Sequence, residues 1–223
     1  MPHPTPTLVG LHVRLEPLTP HHVPALVDAA ADRTSFGFTE VPRNEAEMRA
    51  YVARLTGEAE LGLVIPFAQV SAATGRAVGC TRYMEIRRVG DRIVEVEVGG
   101  TWLATDVQRT AVNSEAKLLL LTHAFEVIGV DRVAIATDER NQRSRAAIER
   151  LGASLDGILR NHRRGVGDLV EEGVPRNTAV YSLVPDEWPG VKAFLQGRLG
   201  RDGGGRPVDA PGPTGTPPGG TGH

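Results

Sequence analysis

"DVQRTAVNSEAKLLLL", residues 106–121, carries short polar residues straight into a long apolar run. A strand-like stretch, "RIVEVEVGGTWLA" (92–104), stands just before it. Strand, tight loop and helix in that order build an anion site. The first turn of a helix has N–H groups with no partner inside the helix, and the positive end of the helix dipole lies there too. Such loops usually contain glycine, which lets the backbone approach phosphate without a Cβ and reach positive φ. This loop has none. Two readings follow: a phosphate loop whose glycines are replaced, or an ordinary helix start capped by Asn113 or Ser114. Glu115 and Glu126 need no role in either.

Working outward, "DRVAIATD" (131–138) is β-branched and short, as a strand is, and "NQRSRAAIERLG" (141–152) is a helix ending in glycine. "ASLDGILRNH" and "TAVYSLV" (178–184) read as strands, and "DEWPGVKAFLQGRL" as a last helix. Upstream, "LHVRLEPL" (11–18) alternates like a strand. Thr19 and Pro20 suit the start of a helix, and "RNEAEMRAYVARLTG" (43–57) is a second helix, capped by Asn44 and ended at Gly57. Residues 63–71 and 77–87 form a strand hairpin around "ATG". The paired glycines at 99–100 predict a bulge or a close backbone approach. The order β-α-α-β-β-β-α-β-α-β-β-α predicts a mixed α/β sheet with helices on its faces.

The 223 residues suit one domain: a flexible N-terminus over 1–7, the domain over 8–199, and a disordered Gly/Pro-rich tail over 200–223. With 25 basic and 27 acidic residues, the net charge of -2 leaves no footprint for nucleic acid. One cysteine, Cys80, excludes a disulfide within the chain, so a reducing, cytoplasmic setting is expected. No signal-peptide pattern is present, and no window approaches the roughly 18–20 apolar residues of a membrane span. The seven histidines show no metal spacing.

The run from about Val94 to Leu183 resembles the GNAT acyl-CoA N-acyltransferases. The likeness is to the branch of the RimJ and RimL ribosomal-protein N-terminal acetyltransferases. The matching stretches are "VEVGGTWL", "QRTAVNSEAKLLLLTHAFE", "RVAIATDERNQRSRAAIERLGA", "GILRNH" and "NTAVYSLV", in family order and spacing. The first ~90 residues fit the fold's early strand and two helices but carry no distinctive motif. The resemblance implies a GNAT fold: a mixed, mostly antiparallel sheet, splayed between two parallel central strands, with helices on both faces. Acetyl-CoA would lie in the opening, as acyl donor. Its pantetheine arm would pair with backbone at Leu103, Ala104 and Thr105. Its pyrophosphate would rest on Gln108, Arg109, Thr110, Ala111, Val112, Asn113 and Ser114. Asn141 and Ser144 would face the pantetheine and thiol end. Where close relatives carry a run like Gly-Thr-Gly-Val-Asn, this chain has Arg109-Thr110-Ala111-Val112-Asn113. Ala111 suits such a loop if its φ is negative, and Arg109 brings a guanidinium able to bind phosphate.

Transfer to an amine needs a proton acceptor, polarisation of the thioester carbonyl and a proton for the leaving thiolate. Glu97 matches a glutamate frequent in this branch and is the expected base. Strand alternation places it with Glu95, opposite Val94, Val96 and Val98. Ser144 is the expected donor by the same resemblance, and Tyr181 is expected to be a packed strand tyrosine. Backbone amides after the bulge would polarise the carbonyl. His123, His162 and Cys80 read as structural, and "RNHRRG" (160–165) as a solvated basic loop. The expected reaction is direct attack in a ternary complex, with an amine acceptor: a protein N-terminus or a small molecule. A non-catalytic CoA-sensing or partner-binding module is the rival reading, and a homodimer is compatible with the family.

Overall fold

The computed structural model describes residues 5–202. The expected flexible N-terminus and disordered tail therefore lie outside it, apart from 5–7 and 200–202. The elements are β1 (Leu8–Val9), β2 (Val13–Pro17), α1 (Val23–Ala29), α2 (Glu45–Glu60), β3 (Ile65–Ser71), β4 (Ala77–Val89) and β5 (Arg92–Leu103). They continue with α3 (Ala111–Thr122), β6 (Arg132–Asp138), α4 (Gln142–Leu151), β7 (Ser154–Arg164), β8 (Pro175–Leu183) and α5 (Trp188–Asp202). α5 thus passes the boundary expected at 199.

One eight-stranded sheet runs in the order β1-β2-β3-β4-β5-β6-β8-β7. Every neighbouring pair is antiparallel except β5 and β6. The expected mixed sheet with one central parallel pair is present. Two cores flank it. On one face Leu120, Leu121 and Ala124 meet Phe67, Tyr83, Val96, Val98 and Val133. On the other, Leu26, Met48 and Leu55 from α1 and α2 meet Ala68, Cys80 and Trp102. A fully buried leucine contributes about 1.5–3 kcal/mol, so Leu120 and Leu121 alone anchor α3 firmly.

Several boundaries differ from the sequence reading. α3 starts at Ala111, not near Asn113 or Ser114, because Thr110 is the cap: its Oγ1 accepts from the Val112 N–H. Thr110 has the better position, since the short turn at Thr105–Val107 ends the loop early. Asn44 does cap α2, but Gly57 lies inside the helix, which ends only before Gly62 in the left-handed region. α3 closes through a π turn at His123–Ile128, with Gly129 left-handed after it. "RNHRRG" is no solvated loop: residues 160–164 extend β7.

Two acids left without a role hold the fold together. Glu115 is buried and accepts from the backbone N–H groups of Leu11, His12 and Val13 at 2.9, 2.6 and 2.9 Å. It ties the β1–β2 connection to α3, and a side chain at Gly10 would collide with it. Glu126 accepts from Trp188 Nε1 and Lys192 Nζ, both at 2.7 Å, joining the π turn to α5.

Candidate active site

The parallel ladder between β5 and β6 holds only three register pairs: Glu95 with Arg132, Val96 with Val133, and Glu97 with Ala134. Beyond Glu97 the strands part. The cause sits in β5. Opposite Thr81 of β4, the register gains a residue at Gly100–Thr101, which is the expected bulge. Gly100 has φ +55° and the Arg82 guanidinium lies where a Cβ would point, so the kink needs glycine.

Glu97 is the last residue of the ladder. It lies beside Met84 and Gly99, on the sheet face opposite Val96 and Val98, and is 5% exposed. Arg163 of β7 donates to both its oxygens, Nη1 to Oε1 at 2.8 Å and Nη2 to Oε2 at 2.7 Å. The pairing with Glu97 raises the guanidinium's pKa. Glu95 is on the same strand face but inside the paired ladder, bound by Arg87 and Arg132.

The remaining predicted residues form the rim. Asn141 caps α4: its Oδ1 accepts from the Ser144 N–H at 3.0 Å, which sets Ser144 in the first turn, half-buried. Gln108 bridges three segments. It donates to Ser35 Oγ at 2.6 Å and to the Leu103 carbonyl at 2.9 Å, and it accepts from Arg143. The Ala104 N–H donates to the Val78 carbonyl and the Leu103 carbonyl accepts from Gln108, so these backbone groups already have partners inside the chain, while the Thr105 hydroxyl reaches the Asp32 carbonyl.

Arg109 is the informative loop residue. Its φ is +64°, the left-handed conformation that glycine supplies in such loops, while Ala111 keeps negative φ as the first helical residue. The loop has lost its glycines without losing their backbone path. Arg109 is exposed. An open depression of about 580 Å³ lies between Arg109–Val112, the β3–β4 turn at Ser71–Ala73, and Leu11–His12. It includes neither Glu97 nor Ser144.

Tyr181 is fully buried on β8, as expected of a packed strand tyrosine. Its hydroxyl donates to Glu149 at 2.8 Å and accepts from Arg145 Nε at 3.0 Å. Burial pushes its pKa up, with Arg145 opposing. His123 is buried, stacked on Tyr83. Cys80 is a buried strand thiol pushed up by burial. Sequence reasoning missed Arg163, Arg82, Asp138 and Arg176. Charged residues at inward strand positions were the available signal, but which strand faces the opening is a matter of tertiary register.

A sheet parted beside a buried carboxylate, with a helix start at the rim, is the architecture of an acyltransferase of the GNAT type. The family model for the acetyltransferase (GNAT) domain matches residues 12–154, and the chain belongs to that family. Its members are acyl-CoA-dependent N-acyltransferases. Over 93 residues the chain is 33% identical to the Bacillus subtilis (strain 168) protein named "Putative ribosomal N-acetyltransferase YdaF". That match covers 42% of this chain and 48% of the relative, so it spans about half the length of that protein. The structure of a GCN5-related N-acetyltransferase from Brucella melitensis superposes with a TM-score of 0.76 at 27% identity, covering 89% of this chain and 87% of the other. Mycobacterium smegmatis RimJ, in complex with CoA-disulfide, gives a TM-score of 0.69 at 19% identity over 88% and 96%, a likeness of fold. Among the described residues, no helix is long and apolar enough to cross a membrane.

Proposed function

We propose that this protein moves an acetyl group from acetyl-CoA to a primary amine, by direct attack in a ternary complex, and that a protein N-terminal amine is the acceptor. The observation that carries the reading is the parting of β5 and β6 directly after the buried Glu97. The residues present suit the donor. Arg109 holds the left-handed loop conformation, the first turn of α3 offers amides, and the free edge of β5 from Val98 to Leu103 faces the gap as an added strand requires. Leu103, Ala104 and Thr105 would border the arm. Gln108 through Ser114 would cradle the phosphates, and Asn141 and Ser144 would face the thiol. When bound, acetyl-CoA supplies the activated acyl carbonyl.

Glu97 takes a proton from the attacking amine as the C–N bond forms, and Ser144 gives one to the departing sulfur as the C–S bond breaks. Amides at the bulge receive the negative charge that develops on the carbonyl oxygen. The acceptor preference rests on the names of the relatives. A purified-protein assay with acetyl-CoA and N-terminal peptides tests the reading. Glu97→Gln is expected to lower kcat/KM by about 10²–10⁴-fold with acetyl-CoA binding retained. Unchanged kcat/KM across pH would remove Glu97 from the chemistry. Absence of acetyl-CoA binding by calorimetry would favour a module that no longer transfers.

A further inference from the structure

On the sheet face that carries Glu97, guanidiniums stand without full carboxylate partners. Arg163 is committed to Glu97, with Glu85 at 3.4 Å. Arg176 stands directly across from Arg163 in the β7–β8 register. Its side chain is 10% exposed, and its Nε is buried with no hydrogen-bond partner. Among the described residues its ion-pair partner is Asp138, at 3.7 Å, beyond hydrogen-bond length, and Glu97 acts on it only at longer range. Asp138 is 1% exposed and already occupied by Arg140, which donates to both oxygens at 2.9 and 2.8 Å. Arg82, beside the bulge, donates to the Tyr51 hydroxyl at 3.3 Å, has no carboxylate among the described residues, and buries an unpartnered Nε. Arg163 and Arg176 thus lean on Glu97 and on an Asp138 that Arg140 already holds, and Arg82 on the neighbouring strand has no ion-pair partner among the described residues. A buried charge without a full partner is costly unless a ligand supplies one.

We infer that Arg82, Arg163 and Arg176 form an anion reader in the acceptor groove, so that the preferred acceptor carries a carboxylate close to its reactive amine. This rests on the acetyltransfer reading for the word acceptor, but not for the site. Arginine suits the task because its planar fork matches a carboxylate. The acceptor's carboxylate takes over Arg163, and Glu97 is released only when that acceptor is in place. Arg163 and Arg176, like charges held side by side, are relieved by the same anion.

The test is calorimetric titration of the full chain with two peptides, Ala-Glu-Ala-Ala amide and Ala-Gln-Ala-Ala amide, with free glutamate as a third arm. Transfer from acetyl-CoA is then followed with each. The acidic peptide is expected to bind at least tenfold tighter than its amide isostere. Arg176→Gln, and independently Arg82→Gln at a partly exposed position, should bring the ratio towards one. Tight binding of free glutamate would make the acceptor an acidic amino acid; its failure beside a tight acidic peptide would make it an acidic N-terminus. Equal binding of both peptides, or a preference that survives both substitutions, overturns the inference. Preferential binding without transfer would leave the anion reader standing and remove the acetyltransfer reading.

Discussion

Replacing Arg109 by glycine should stabilise the protein and weaken its hold on acetyl-CoA at the same time. Arg109 sits at φ +64° and is exposed. A residue with a Cβ costs about 1–2 kcal/mol in the left-handed region. Glycine returns about 0.5–1 kcal/mol of that through its freer unfolded chain. The net gain is about 0.5–1 kcal/mol, which for a domain of this size raises Tm by about 2 °C. Arg109→Ala is the control: it keeps the Cβ and gains nothing in Tm. Both variants lose the guanidinium, whose charge-assisted bond to phosphate at an exposed rim is worth about a tenfold change in Kd. Differential scanning calorimetry and titration with acetyl-CoA read the two effects separately. A lower Tm for Arg109→Gly would refute the strain, and unchanged affinity in both variants would refute the phosphate contact.

Arg163→Met should destabilise the chain by about 3 kcal/mol, because it strands a buried carboxylate; Glu97→Gln in the same chain should recover most of that in urea unfolding. Glu115→Ala leaves the amides of Leu11, His12 and Val13 without their acceptor, so it should cost about 3 kcal/mol or more and raise hydrogen exchange first at those residues. Lys117 reaches Thr101 at 3.1 Å under α3, and burial lowers its pKa to about 8. Between pH 8 and its ordinary value of 10.5 the unfolded chain holds the extra proton, so the wild type gains stability as pH rises through that window. Lys117→Met should therefore be more stable than wild type by about 2 kcal/mol at pH 7, and the advantage should fade by pH 10.5. A pH-independent difference in thermal unfolding would contradict this.

Elements whose determinants are local were readable in the chain. The apolar stripe of α3, the alternation in β5 and the paired glycines at 99–100 each specify their own conformation, and the bulge falls where they predict. The helix start was misread because Thr110, Asn113 and Ser114 are all good caps, and the choice between them depends on the preceding turn at Thr105–Val107. The partners of Glu97 were not readable at all. Arg163 is 66 residues away on β7, three strands from β5 in the sheet order, so neither chain separation nor strand adjacency points to the pair. The role of Glu115 was hidden for the same reason, since its three donors lie more than a hundred residues earlier.

The short parallel ladder gives this sheet four edges where an ordinary open sheet has two. The outer pair carry familiar protection against pairing with another molecule: β1 is two residues long, and β7 bears Asp156, Arg160, Arg163 and Arg164. The inner edge of β5 has none, since Val98–Leu103 carries no charge. It faces the gap across from β6, whose ladder with β5 stops at Glu97 and Ala134. Protection of this edge is thus left to the architecture around it rather than to charged side chains. Any substitution that loosens the β6–β8 leaf exposes an uncharged template, and insolubility would precede the loss of the remaining fold.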